Sequence, residues 1–189
     1  MFELILGFAL CETPSVLSLS LEKQVDIYLK GITALVGSFT QYNPDKTQVE
    51  GYFWLKSPRG EMGRMRIDYT NGQRIMANHK NVIIYDLARK TATDPISTED
   101  TPAAFLLTRR IHLKDFSPKC SFKKGQLHLF LKDRNADVTL FFSLYENKNI
   151  KALIGWHIVD IQGNETRVKF TETTLHINDD KLVPERLFK

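Results

Sequence analysis

Cysteine is scarce in this 189-residue chain: Cys11 and Cys120 are its two thiols, too few for a disulfide framework and at no spacing that holds a metal. The five histidines, His79, His112, His128, His157 and His176, are scattered as well, with no two at ligand spacing. No metal and no cofactor is therefore expected. The chain also lacks a Gly-x-Ser-x-Gly elbow, a Walker A loop and a Gly-x-Gly-x-x-Gly turn, which removes the common nucleophile and nucleotide signatures. Asp133 to Asp137 opens like a calcium loop, but Val138 stands where glycine is needed and Leu144 where the bidentate glutamate belongs, so it reads as a hairpin turn. With no acid, base or nucleophile in a recognisable arrangement, the chain is not read as an enzyme.

Long apolar runs are missing too. The one continuous run near the start, Leu4 to Leu10, is far too short to span a bilayer. It fits the apolar region of an export signal with cleavage near Ala9-Leu10-Cys11, against which stand Glu3 and the absence of an early lysine or arginine. Cys11 has no small residue before it and is not expected to be acylated. Residues 1–17 are read as a signal peptide or disordered N-terminal segment and residues 18–189 as one domain, the size suiting a single sizeable core. The formal charge is +4 with a pI near 9.0, but the basic residues are spread over several segments, Lys123-Lys124, Arg109-Arg110 and Arg59, Arg64 and Arg66 among them. That is not the footprint of a nucleic-acid binder.

What the chain does have is alternation. From Gly51 to Tyr69, Phe53 and Leu55 share one face with Tyr52, Trp54 and Lys56 on the other; then Met65, Ile67 and Tyr69 oppose Arg64, Arg66 and Asp68. A Pro/Gly turn separates the halves, so the segment reads as two antiparallel strands with one apolar and one wet face. Before it, Leu21, Val25, Tyr28, Leu29, Ile32, Leu35 and Val36 fit an amphipathic helix over about Leu21 to Val36, with Ser20 as N-cap and Gly37 as stop. Asn71-Gly72 marks a hairpin, and Asn78 to Asn81 a turn into the strand Val82 to Asp86. Thr101-Pro102 opens a second, short helix through Leu107. Four further strands, Leu127–Leu131, Val138–Leu144, Ala152–Asp160 and Thr166–Leu175, follow with turn clusters between them. The sum is a mainly β fold: roughly nine to eleven short strands in a large, strongly curved antiparallel sheet or barrel, capped or plugged by helices.

Ser38-Phe39-Thr40-Gln41, Gly51-x-Phe53-x-Leu55-Lys56-x-Pro58, Gly63 to Tyr69, Asn81 to Asp86, Pro95-Ile96 with Thr101-Pro102 and Leu106-Leu107, and Leu153 to Asp160 with Gln162-Gly163-x-x-Thr166 occur in that order. The ordered set resembles the periplasmic outer-membrane lipoprotein carrier family, LolA, over about residues 20 to 175. The resemblance implies an incomplete, unclosed antiparallel β-barrel of about 11 strands, with an apolar inner surface under a helical lid. It also implies a monomeric periplasmic chaperone whose partners are acylated lipoproteins, an inner-membrane lipoprotein-releasing ABC transporter and an outer-membrane receptor, and not nucleic acid. A carrier of free lipid or a lipoprotein-sensing domain on the same fold is the alternative. On this reading Phe53, Leu55, Met65, Ile67, Ile84 and Trp156 line the acyl-chain cavity, and Leu29, Ile32, Phe105, Leu106 and Leu107 belong to the lid. Where family members often carry arginine before the proline of the first hairpin, this chain has Ser57, so lid closure is expected either to use Lys56, Arg59 or Arg64 instead or to be weaker.

Overall fold

Ser20 starts the first element. Its side chain accepts a hydrogen bond from the Lys23 amide at 3.4 Å, and Glu22 lies in the positive first turn of helix α1, Leu21–Gly31. In the computed structural model, which describes residues 20–56, 63–101, 107, 116, 118–132, 136–171, 175–177 and 183–188, the helix stops there. It does not run to Val36 as its apolar spacing predicts. Ile32 is already extended, and strand β1, Ala34–Tyr42, begins two residues later. Ile32, Leu35 and Val36 satisfy both a helical and a strand period. The strand prevails because β1 pairs with partners on both edges and places Leu35 in the core. Gly37 is therefore a strand residue opposite Phe53, not a helix stop.

The sheet then builds as a meander: β2 Gln48–Lys56, β3 Arg64–Tyr69, β4 Gln73–Ala77 and β5 Asn81–Asp86, with the two-residue strands β6 Thr91–Ala92 and β7 Ile96–Ser97 both on β5. The β2–β3 hairpin has the expected register, Phe53 opposite Ile67 and Leu55 opposite Met65. Gly72, at φ +88°, turns β3 into β4. A second meander follows: β8 Lys119–Lys123, β9 Gln126–Lys132, β10 Ala136–Leu144, β11 Ile150–Asp160 and β12 Glu165–Phe170. β13, Leu175–Ile177, completes the thirteen described strands; the run expected as one strand from Thr166 to Leu175 is thus divided. β12 and β13 pair with different stretches of β1.

The order β6-β5-β4-β3-β2-β1-β12-β11-β10-β9-β8 is one antiparallel sheet whose two ends do not pair with each other. The fold is thus the unclosed barrel that the family resemblance implies. The helix proposed to start at Thr101-Pro102 falls almost entirely outside the described residues, as do the N-terminal segment 1–19, Ser57, Arg59 and the turn to Met62. Just before it, Thr98 is fully buried, but its hydroxyl donates to the Asn78 carbonyl at 2.7 Å and its amide to the Lys80 carbonyl at 2.9 Å, so the buried polar groups are satisfied.

Candidate binding site

Strand register decides which residues share a face. Phe53, Ile67, Ile75 and Ile84 are successive partners across β2 to β5, and Leu35, Leu55, Met65, Ala77 and Val82 form the neighbouring row. In the second meander Cys120, Leu129, Leu140, Trp156 and Val168 do the same across β8 to β12. All six residues expected to line the cavity therefore lie on one side of the sheet. Phe53, Leu55, Met65 and Ile67 are buried, Ile84 and Trp156 partly so. Val25 of α1 is buried in the same cluster, with Leu21, Tyr28, Leu29 and Ile32 packed against it, which makes this the inner, helix-covered face.

An aromatic ribbon crosses it. Tyr69 meets Phe39 edge-on at 5.5 Å, Phe39 lies 6.3 Å from Phe53, Phe53 stacks on Phe170 at 4.6 Å, and Phe170 meets Trp156 edge-on at 5.1 Å. The rings join the two meanders over β1, and of the five only Phe53 and Trp156 are among the expected cavity residues. Phe39 and Phe170 are direct partners in the β1–β12 register, a pairing that no local pattern announces. At one rim the Tyr69 hydroxyl donates to Gln41 Oε1 at 2.9 Å, which explains why Phe39 and Gln41 stand two residues apart: one packs, the other holds a rim hydroxyl.

Three titratable groups border the face, and burial is the first cause for each. It pushes Tyr28 and Tyr69 up to about 12 and Cys120 up to about 11, the last helped by the charge of Glu22. All three are neutral at pH 7, so the surface stays apolar.

Two contacts hold covering residues in place. Leu107, fully buried, accepts a backbone hydrogen bond from Gly63 at 2.9 Å, and a Cβ on Gly63 would lie 2.9 Å from the Leu107 backbone; glycine permits that approach. Tyr28 accepts a hydrogen bond from the Leu153 amide at 3.0 Å while its ring meets Phe142 edge-on at 5.8 Å. The register of β10 against β11 skips Ile154, a bulge that turns the neighbouring Leu153 amide to the helix. Tyr28 is a tether of α1 that periodicity alone counts as one more apolar stripe residue. Of the expected closing residues, Lys56 is buried, contrary to its place on the wet side of the hairpin, because its ammonium donates to the Val183 carbonyl at 3.5 Å. Arg64 is its direct cross-strand partner. Phe105, Leu106 and Arg59 lie outside the described residues.

The outer face differs. Arg66 and Arg74 both clamp Asp68, with Arg66 Nη2 to Asp68 Oδ2 at 2.6 Å and Arg74 Nε to Asp68 Oδ1 at 2.7 Å, and Arg66 also donates to the Leu187 carbonyl at 3.2 Å and stacks over Trp54. Burial acts to raise the Asp68 pKa, but these two guanidinium groups outweigh it and hold the carboxyl at about 2. The clamp pins the C-terminal 3-10 turn Glu185–Phe188 against β3.

The sequence model of the family described as outer membrane lipoprotein carrier protein LolA matches residues 30–183. The chain belongs to the LolA family. No curated protein matches it significantly. Among solved structures, this LolA-family protein is similar to an outer membrane lipoprotein-sorting protein domain from Vibrio parahaemolyticus, with 8% identity, 88% of this chain and 95% of that one covered, and a TM-score of 0.53. It is less similar to MucB in the Pseudomonas aeruginosa MucA/MucB complex (12% identity, 87% and 61% covered, TM-score 0.47) and to a LolA superfamily protein from Nitrosomonas europaea (13%, 83% and 92%, 0.39). At these identities the likeness is one of fold, and of these three the Vibrio domain, with a TM-score of 0.53, is the one that carries it. Among the described residues no helix is long and apolar enough to cross a membrane.

Proposed function

We propose that this protein is a periplasmic carrier that shields the acyl chains of lipoproteins against its inner face, receiving them from an inner-membrane ABC transporter and yielding them to an acceptor at the outer membrane. The observation that carries the reading is the continuous apolar surface from β5 to β8 of an unclosed, helix-covered sheet in a LolA-family chain. Phe53, Leu55, Met65, Ile67, Ile84 and Trp156 form the contact surface, and Leu29, Ile32 and Leu107 the cover.

The energetics favour exchange over deep burial. Each methylene removed from water contributes about 0.8 kcal/mol, so two or three whole acyl chains would come to roughly 25–35 kcal/mol, beyond the practical ceiling of about 18–21 kcal/mol for noncovalent binding. Such cargo would not leave. Here the inner face is already filled by its own rings, with Phe53 on Phe170 and Trp156 on Phe170 in contact. Cargo that displaces these rings and the helix contributes only the difference as affinity, which keeps release possible.

The test is photocrosslinking in cells. A photoreactive side chain at position 53 or 67 is expected to capture acylated lipoproteins, and one at Tyr52, exposed on the outer face, is not. Capture of free phospholipid alone would turn the reading to a lipid carrier; equal capture of lipoprotein at all three positions would end it.

A further inference from the structure

Two cavities open on the outer face of β8 to β12, away from the helix. The larger, about 1010 Å³, and the smaller, about 480 Å³, share Gln126, Phe141 and Arg167 and so adjoin. They meet where the outer row Ser121–His128–Phe141–Gly155–Lys169 loses a side chain at Gly155. Glycine is required there: φ is +155°, and a Cβ would lie 2.3 Å from the Val168 carbonyl oxygen.

The combined channel is strongly basic. Lys46, Lys123, Lys124, Lys151, Arg167 and Lys169 line it against one carboxylate, Glu165, which already faces His157 Nε2 at 3.3 Å. An excess of five positive charges in one channel, in a chain whose total is +4, means that the rest of the molecule is close to balanced. None of the six cations has a carboxylate within ion-pair distance among the described residues. Arg167 lies over the Phe141 ring, its guanidinium 5.3 Å from the centroid, which holds the charge against the sheet. The field is felt locally: burial, then Lys123 and Arg167, press the His128 imidazole below its ordinary range.

We propose that this channel docks an acidic, extended polypeptide segment of a protein partner. It crosses from β8 to β1, five strand spacings or about 24 Å, and an extended chain covers that distance in about seven residues at roughly 3.3 Å each. That reach exceeds a small anion. A narrow chain fits better than a flat bilayer, because Arg167 and His157 on the strands share one cavity with Asn43, Pro44 and Lys46 of the β1–β2 turn and with Lys123 and Lys124 of the β8–β9 hairpin. A carboxylate at alternate positions meets the cations, and the intervening side chains meet Phe130, Phe141 and Tyr42. The site is separate from the inner face and does not depend on what is carried there.

The test uses the full chain, isotope-labelled, titrated with a capped heptaglutamate peptide at low salt. Shifts are expected in the amides of β8 to β12 and the imidazoles of His128 and His157, with inner-face amides unmoved. The Lys123→Glu/Lys124→Glu variant is expected to bind about tenfold more weakly, and added salt to weaken binding by a similar factor. Should that pair disturb the hairpin, Lys46→Glu in the opposite turn is expected to weaken binding severalfold. The proposal is overturned if charge reversal leaves peptide affinity unchanged, if no shifts appear in these strands, or if phosphatidylglycerol vesicles engage the same amides while the peptide does not.

Discussion

On the inner side of β9 to β12, neighbouring strands present Leu129, Leu140, Trp156 and Val168; one residue along, the outer side presents Phe130, Thr139, His157 and Arg167. The same four strands carry two unrelated chemistries, separated by a shift of one in sequence. The inner residues interlock with α1 and with each other, so their energy is that of close packing. Outer residues stand beside open space. A two-residue period thus lets one sheet serve as a greasy surface and as a basic one without either compromising the other.

The sharpest way to break this comparison uses adjacent phenylalanines. Phe142 is fully buried on the inner face, whereas Phe141 is half-buried under Arg167. Phe142→Ala is expected to cost about 3–5 kcal/mol of stability in urea unfolding and Phe141→Ala about 1 kcal/mol. Equal losses would mean that both sides are core.

A smaller effect is expected at the tether. Tyr28→Phe keeps the ring on Phe142 but leaves the Leu153 amide without its 3.0 Å acceptor, a loss of about 1 kcal/mol with faster hydrogen exchange at Leu153. It also changes the alkaline limb. The folded state holds the Tyr28 proton to about 12 while the unfolded chain releases it near 10, so native stability falls as pH rises between those values; the Phe variant lacks that share. Identical exchange and identical alkaline unfolding would remove Tyr28 as a helix tether.

A further, pH-dependent effect concerns the Asp68 clamp. With its folded pKa held at about 2 against an ordinary 3.8, its contribution is present above about pH 4 and is lost as pH falls toward 2. Asp68→Asn is expected to flatten that part of the acid unfolding curve and to loosen the Glu185–Phe188 turn, measured as the change in urea midpoint with pH.

Much of the inner face was legible in the sequence because Phe53, Leu55, Met65 and Ile67 alternate cleanly and a turn fixes their register. The end of α1 was not, because Ile32, Leu35 and Val36 fit both periods and only the partners β2 and β13 break the tie. β8 was missed since its five residues, Lys119–Lys123, are largely exposed and show no apolar alternation. The basic channel escaped for a further reason. Its six cations come from the β1–β2 turn, the β8–β9 hairpin, β11 and β12, so what looks dispersed along the chain converges only when the sheet curls. Tyr28 depends on a bulge 125 residues away, which no window can contain.

The β1–β12 pairing joins residues more than a hundred positions apart, Thr40 to Lys169 and Phe39 to Phe170, whereas every other strand of the main path pairs with its sequence neighbour. Each meander can form from short hairpins with little loop entropy to overcome, but their union must wait until the C-terminal strands exist. Until then β1 is an open edge beside an uncovered apolar surface, the kind of edge on which strands of other chains add. A newly made molecule is therefore at greatest risk of aggregation in the interval before its two halves zip together.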